Sequence, residues 1–145
     1  MRLLVQRVSN ASVKVDEMVL GKIQKGFLVL LGVTHEDTTE NADYLIKKLC
    51  NLRVFQDENE KMNLGIKDIQ GELLVVSQFT LYADTTSGNR PSFTQAAKPE
   101  KANELYEYFV KKCKENNIRT ETGRFGAHMD VNLTNDGPVT IMLEK

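Results

Sequence analysis

The sequence predicts an α/β (α+β) fold in which a strand-rich body, either barrel-like or a strongly twisted mixed sheet, has two main helices packed on it. Three observations predict it. Closely spaced apolar stretches of strand length fill the first part of the chain, two segments carry apolar residues at helical spacing, and the C-terminal part alternates. The strands are too many and too closely spaced for a simple doubly wound sheet.

The N-terminal part consists of predicted strands. Leu3 to Val8 is the first, and Ala11 to Val15 pairs with Val19 to Ile23 in a hairpin around Asp16-Glu17. The apolar run from Phe27 to Val33 is uninterrupted and of strand length, which predicts burial on both faces of a sheet.

Two helices follow from apolar residues spaced three and four apart. The first has possible N-caps at Asp37, Thr38 and Thr39, and Pro99 suits the first turn of the second. The apolar positions of the first are Ala42, Leu45, Ile46, Leu49 and Cys50, and those of the second are Ala102, Leu105, Tyr106, Phe109, Val110 and Cys113.

Between and after the helices, turns and strands alternate. Polar sequence from Gln56 to Asn63 leads to the apolar run Leu73 to Val76, and a long loop extends from Asp84 to Pro91. Near the C-terminus two alternating stretches predict strands on either side of a turn. Their inward residues are Met129, Val131 and Leu133, then Val139, Ile141 and Leu143.

Composition limits the class of protein. The apolar fraction of 41% and charged fraction of 27% are ordinary for a globular protein, and 145 residues fit one domain, 1–145. No apolar run approaches the roughly 18 residues that a membrane helix needs. The start, Met1 to Arg7, lacks the apolar region of a signal peptide, so we expect a cytoplasmic protein with no membrane partner.

No metal or cofactor is expected. Cys50 and Cys113 occupy apolar positions of the predicted helices and are interpreted as buried thiols, and His35 and His128 are far apart in sequence. The chain also contains no P-loop and no dinucleotide-binding fingerprint.

The net charge of −1 gives no global basic excess, although a local basic face would suffice to bind a nucleic acid. The pattern favours a solvated helix face plus ordinary surface charge for the basic residues that crowd together late in the chain. These residues are Lys111, Lys112, Lys114, Arg119 and Arg124.

Two segments point to chemistry. In Ser77-Gln78-Phe79-Thr80, polar residues follow directly on a buried apolar strand, which indicates either a strand end at the surface or the wall of a pocket. In Asp136-Gly137-Pro138, Asp-Gly predicts a hairpin turn, but Pro138 removes a donor where the return strand would pair. Gly-Pro is also a bond that tolerates the cis form, which would present a rigid backbone without side chains.

A conventional nucleophile is poorly supported. A serine or threonine hydroxyl needs a base within hydrogen-bond reach, normally a histidine oriented by an acid. His128 falls out of phase with the inward residues Met129 and Val131, and His35 begins a polar loop. The sequence contains no Gly-x-Ser-x-Gly elbow either.

Over essentially its whole length the chain resembles the D-aminoacyl-tRNA deacylase family. The motifs that carry this resemblance occur in order and at matching spacing. They are Val5-Gln6-Arg7-Val8, Leu52-Arg53-Val54-Phe55, Ser77 to Asp84, Arg90-Pro91-Ser92-Phe93, Gly123-Arg124-Phe125-Gly126-Ala127 with Met129, and Asn135 to Thr140. Ser87 departs from the family pattern, which often has a basic residue there.

The resemblance implies hydrolysis of the ester that joins a D-amino acid to the terminal adenosine of tRNA, by a homodimer. It implies that Gly137 and Pro138, as a Gly-cis-Pro dipeptide held by Arg7, enter the partner's pocket, grip the substrate amino group and exclude L side chains. It also implies that Ser77, Gln78, Phe79 and Thr80 line the ester, and that Phe125, Gly126 and Met129 bound the adenosine pocket.

Three expectations follow from this assignment. A filter that excludes L side chains cannot reject glycine, so glycyl-tRNA should be cleaved as well. Since no base is placed to activate Thr80, we favour assistance by the ribose hydroxyl beside the ester over a Thr80 nucleophile. The alternatives are a general small-ester hydrolase and a non-catalytic RNA- or protein-binding module on the same fold.

Overall fold

The computed structural model describes residues 1–145, whose strands form a six-stranded mixed sheet and a small two-stranded sheet. The two main helices are α1 (Thr39–Asn51) and α2 (Pro99–Glu115). The strands are β1 (Arg2–Val15), β2 (Met18–Ile23), β3 (Gly26–Gly32), β4 (Phe55–Gln56), β5 (Met62–Leu64), β6 (Glu72–Ser77), β7 (Thr120–Thr122) and β8 (Asp130–Glu144).

The main sheet has the order β2-β1-β3-β6-β7, and β8 pairs with the other edge of β1. The β1 strand is antiparallel to β2, β3 and β8, whereas β3–β6 and β6–β7 are parallel and have α1 and α2 in their crossovers. At Gly21 an added Cβ would lie 2.6 Å from the Thr122 carbonyl oxygen, so β2 approaches β7 closely. The sheet is therefore nearly closed and barrel-like, as predicted.

Apolar side chains fill both sides of this sheet. A core of 24 buried residues lies between the sheet and the helices, and a second core of 7 lies on the opposite side. Along β3, Phe27 and Val29 belong to the first core and Leu28 to the second. The prediction that the run from Phe27 to Val33 is buried on both faces is confirmed.

The helices begin where the sequence predicts. Thr38 is the N-cap of α1: its hydroxyl accepts a hydrogen bond from the Glu40 N–H, and its own N–H donates to the Asn41 side-chain oxygen. Pro99 occupies the first turn of α2. The Tyr106 hydroxyl donates to the Val75 carbonyl at 2.8 Å and so ties α2 to β6. Neither helix combines the length and apolar sequence needed to cross a membrane.

Two strand predictions near the termini are wrong in detail. The segments Leu3–Val8 and Ala11–Val15 are parts of one strand, β1, that continues through exposed Ser9 and Asn10. Likewise, Gly137-Pro138 is not a hairpin turn, because β8 continues past it and pairs with β1 on both sides. The cause is tertiary: β1 is long enough to pair with both halves of β8, which local turn chemistry does not reveal.

Candidate active site

A largely apolar cavity of about 630 Å³ opens where β6 ends. Its walls come from the ends of β3 and β6, the first turn of α2, and the segment that enters β8. The residues that line it are Leu31, Val33, Val76, Ser77, Gln78, Phe79, Phe93, Ala96, Ala97, Lys98, Pro99, Ala102, Phe125, Gly126, Ala127, His128, Met129 and Val131.

The segment from Ser77 to Phe79 forms one wall of this cavity, and Thr80 lies beside it. β6 ends at Ser77, the Gln78 N–H donates to the Leu31 carbonyl at 2.7 Å, and a 3₁₀ helix then covers Phe79–Tyr82. Phe79 and Thr80 therefore occupy the first positions of a helix, where backbone N–H groups have no partner within the helix. Of the two interpretations left open by the sequence, a pocket wall and a strand reaching the surface, the pocket wall is correct.

The Thr80 hydroxyl is not paired with a base. Thr80 is exposed, does not line the cavity, and accepts a hydrogen bond from the Gln78 side-chain amide. No histidine ring or carboxylate is hydrogen-bonded to it. His35 instead contacts the Thr94 carbonyl at 2.6 Å, and the His128 side chain is 96% exposed at the cavity rim. The geometry contains no catalytic triad around Thr80.

Two aromatic rings stand at the mouth of the cavity. Phe79 is 53% exposed and meets Phe93 edge to face, with ring centroids 5.0 Å apart. Reciprocal backbone hydrogen bonds of 2.8 Å between Asp84 and Ser92 close the loop that presents Phe93. The sequence singled out Phe93 only as part of a family motif, because its position on a long loop gave no contact information.

The opposite wall consists of residues 125–129. Phe125 packs near Tyr106, with centroids 6.0 Å apart, and Gly126 has φ +76° with open space beside it. Met129 packs against the second core, and an added Cβ at Gly123 would lie only 2.5 Å from its sulfur. These contacts fix Phe125 and Met129 where the sequence placed them, on the boundary of a pocket.

Gly137 and Pro138 form an exposed bulge on β8. β1 pairs through Gln6 with Thr140 and through Val8 with Asn135, so the four residues 136–139 lie opposite Arg7 alone. The Gly137–Pro138 peptide bond is cis. Gly137 has φ +139°, and an added Cβ would lie 2.9 Å from Val139 and 3.1 Å from an Arg7 guanidinium nitrogen. A side chain is therefore disfavoured at this position.

Arg7 holds the base of this bulge. Its Nε donates to the Asp136 carbonyl at 2.9 Å and its Nη1 to the Val54 carbonyl at 2.6 Å, and the residue is only 6% exposed. The Val139 N–H donates to the Asn135 side chain at 2.9 Å. These hydrogen bonds replace the β-ladder bonds that the bulge interrupts.

The predicted site residues thus divide into two groups within one chain. Ser77, Gln78 and Phe79 share the cavity with residues 125–129, and Thr80 lies beside them. Arg7, Gly137 and Pro138 lie on β1 and β8 and line no part of it. The sequence did not predict that the start of α2 and His128 form part of the cavity wall. His128 is out of phase with the inward residues of the strand pattern, so its side chain was expected to face solvent.

Burial shifts the pKa of several groups near the cores. It raises the pKa of the Cys113 thiol to about 12, and raises that of Cys50 against an opposing effect of Lys67. Both cysteines are free; the predicted burial is confirmed for Cys113, whereas Cys50 is only half-buried. Burial also raises the pKa of Tyr106 to about 12, so its hydroxyl is a hydrogen-bond donor at neutral pH rather than a base.

Comparison with known proteins identifies relatives over the full chain. The model of the D-Tyr-tRNA(Tyr) deacylase family matches residues 4–144. A D-aminoacyl-tRNA deacylase of Clostridioides difficile is 62% identical, covering 99% of this chain and 97% of the relative. The enzyme of that name from Bacillus pumilus is 60% identical, covering 99% and 98%.

Solved structures share the fold. The c-Myc DNA Unwinding Element Binding Protein superimposes with a TM-score of 0.94 at 42% identity, covering 100% of this chain and 99% of its own. A structure described as a "probable eukaryotic D-amino acid tRNA deacylase" has a TM-score of 0.84 at 16% identity, covering 99% and 98%. The latter likeness concerns the fold alone.

Proposed function

Because the chain belongs to the D-Tyr-tRNA(Tyr) deacylase family, whose curated members are D-aminoacyl-tRNA deacylases, we propose that the cavity beside Ser77, Gln78 and Phe79 is where the ester is cleaved. The protein is a hydrolase that removes D-amino acids from tRNA. The cavity supports this location because it pairs an apolar interior with a polar strand end, the usual makeup of a small-ligand site. Phe125, Gly126 and Met129 would then bound the terminal adenosine.

The reaction step proceeds without a protein nucleophile. The ribose hydroxyl next to the ester activates the attacking water, and the backbone N–H groups at Phe79 and Thr80 stabilise the oxyanion. What supports this proposal is the environment of Thr80, whose hydroxyl meets only the Gln78 amide. Ser77 and Gln78 position the ester and water, and no metal or cofactor takes part.

The backbone of Gly137 and Pro138 discriminates between D- and L-aminoacyl groups. Their carbonyl groups accept hydrogen bonds from the substrate ammonium group, and an L side chain meets the backbone itself. The observation that carries this proposal is the exposed bulge, bare of side chains at Gly137 and held by Arg7. A filter of this kind acts by exclusion, so glycyl-tRNA is a substrate too.

The functional unit is a homodimer. The bulge and the cavity lie on separate parts of one chain, and a second copy brings the bulge of one subunit to the cavity of the other. The long β8 pairs with β1 only, which leaves its other edge open to a second copy, and Met142 on this strand is exposed. Residues 1–145 form one catalytic domain, located in the cytoplasm where aminoacylated tRNA is present.

A panel of substrates on one tRNA tests the proposal. Esters of a D-amino acid and of glycine should be cleaved at least about a hundredfold faster than that of the L enantiomer. Cleavage of the D ester with glycyl-tRNA left intact would contradict the exclusion filter. A simple amino-acid ester without tRNA should remain uncleaved, since its hydrolysis would favour a general small-ester hydrolase. Binding of tRNA without any cleavage would favour the non-catalytic module.

A further inference from the structure

A second, shallower groove of about 830 Å³ adjoins the cavity. It runs between the exposed face of α2 and the residues that follow β7. Phe125 lines both the groove and the cavity, so the two spaces share a wall. The groove therefore begins at the Phe125 side of the cavity.

The groove carries basic side chains from two elements. Lys111 and Lys114 come from α2, and Arg124 comes from the turn after β7. Lys114 and Arg124 form no ion pair, since no carboxylate lies within 4.0 Å of either. The lining has three cations, Lys111, Lys114 and Arg124, against the two carboxylates Glu107 and Glu115, so the groove is net positive on a chain whose net charge is −1.

Neither acidic residue of the groove is paired with Lys114 or Arg124. Glu115 is bound by Lys112 at 3.0 Å and more loosely by Lys111 at 3.9 Å. Glu107 accepts a hydrogen bond from the Asn103 side chain at 3.4 Å. Lys114 and Arg124 are therefore available for a ligand.

The helix dipole accounts for only part of this arrangement. Lys112 and Lys114 lie in the last turn of α2, where cations are favourable whatever the function. Arg124 is not on the helix, yet it lines the same groove. The solvated helix face that the sequence favoured explains Lys112 but does not explain the convergence of Lys114 and Arg124.

We propose that this groove holds backbone phosphates of the tRNA strand that leads to the terminal adenosine, with Lys114 and Arg124 as phosphate ligands and Lys111 as an outer cation. This inference rests on the proposed function, which puts the adenosine beside Phe125. The rest of the tRNA, which is a polyanion, must pass one of the cavity walls. Next to the wall at Phe125 lie Lys114 and Arg124, which have no ion-pair partner.

Two substrates separate binding in the groove from chemistry in the cavity. One is a D-aminoacyl-tRNA, and the other is the same D-amino acid esterified to adenosine, which has no phosphates. For Lys114→Ala and Arg124→Ala, kcat/KM on the tRNA should fall about tenfold each, through KM, while cleavage of the adenosine ester stays unchanged. The slope of log kcat/KM against log salt should become shallower by about one for each cation removed.

Lys47→Ala and Lys67→Ala are matched controls, because these exposed lysines line a different, small cavity between α1 and α2. They should leave both substrates and the salt slope unchanged. If Lys114→Ala and Arg124→Ala also behave like the unmodified protein on tRNA, the groove proposal is wrong and the proposed function stands. An equal loss on both substrates would also overturn it, since the residues would then act at the ester. If the unmodified protein cleaves neither substrate, the proposed function fails first.

Discussion

At the scale of single residues, the proposed mechanism rests on two groups with unusual surroundings. Thr80 has a hydroxyl at the edge of the cavity but no base, and Gly137 has a backbone conformation that disfavours any side chain. Tyr106 has the opposite character, a phenol that is buried and fully hydrogen-bonded. Each of these residues gives a distinct measurable consequence.

Thr80→Ala should retain turnover within about threefold of the unmodified enzyme, because in the proposed mechanism the activating hydroxyl belongs to the substrate ribose. Single-turnover deacylation of a D-aminoacyl-tRNA measures this directly. The companion substrate ends in 2′-deoxyadenosine and should resist cleavage. Loss of activity in Thr80→Ala, with fold and tRNA affinity intact, would instead identify Thr80 as the nucleophile.

Tyr106 should make the folded state sensitive to alkali. Its pKa rises from an ordinary value of 10.0 to about 12 on folding, so the unfolded chain releases the phenolic proton first. The stability from the neutral phenol is fully present below pH 10 and is lost as the pH rises from about 10 to 12. Tyr106→Phe should cost about 1 kcal/mol at neutral pH yet show a smaller decrease in this range.

Denaturant unfolding at several pH values measures both effects, with Tyr44→Phe as the control at an exposed tyrosine. Identical pH profiles for Tyr106→Phe and the unmodified protein would show that the buried phenol does not control alkaline stability.

At the scale of elements, the interruption of β8 carries the proposed chiral filter. A strand of 15 residues keeps its pairing with β1 on both sides of a four-residue bulge. Arg7, on the partner strand, donates to backbone carbonyls in two different segments, Asp136 of the bulge and Val54 after α1. The bulge is thus an ordered part of the sheet rather than a mobile loop.

Arg7→Lys should weaken this element more than its conservative appearance suggests. A lysine ammonium group cannot reach both carbonyls as the guanidinium fork does, so one buried acceptor loses its partner. We expect a loss of about 2–3 kcal/mol in the free energy of unfolding and at least about a tenfold decrease in kcat/KM. Chemical denaturation and deacylation assays measure the two effects.

The matched substitution is Arg119→Lys, at an arginine whose side chain is 60% exposed and pairs with Glu72 and Glu121. It should change stability by less than about 0.5 kcal/mol. Equal effects of the two substitutions would mean that Arg7 contributes no more than an ordinary surface charge.

At the scale of the whole molecule, the two halves of the site belong to different surfaces. The cavity lies where β6 ends and α2 begins, whereas the bulge projects from β8. A single subunit presents each half to solvent, as the exposure of Phe79, Gly137 and Pro138 indicates. The proposed homodimer, with two composite sites, would account for both exposures.

Complementation between inactive variants tests this assembly. Gly137→Ala damages the bulge and Phe79→Ala damages the cavity, so each homodimer should be nearly inactive. When the two are co-expressed, half of the dimers are mixed and each has one intact site, which should restore about a quarter of normal activity. No recovery from mixed dimers verified by mass spectrometry, or a monomer in sedimentation, would contradict the shared site.

Much of the fold was determined by the sequence itself. Helical and alternating periodicities act over a few residues, so α1, α2, the first hairpin and the doubly buried β3 were predictable from local pattern. The short β7 was not, because three residues carry too little periodicity to distinguish a strand from a loop. At Ser77 to Phe79 polar residues directly follow an apolar strand, and this pattern left open whether they form a surface strand end or a pocket wall.

Only the tertiary structure decided what Gly137-Pro138 does. Asp136-Gly137 has the local chemistry of a hairpin turn, and the turn prediction failed because pairing with β1 continues on both sides. The hydrogen bonds from Arg7, 129 residues away in sequence from Asp136, hold the bulge. The convergence of Lys114 and Arg124 on one groove likewise depends on packing of α2 beside β7. Contacts between residues far apart in sequence set the positions of the bulge and of the two cations, and local sequence patterns do not predict such contacts.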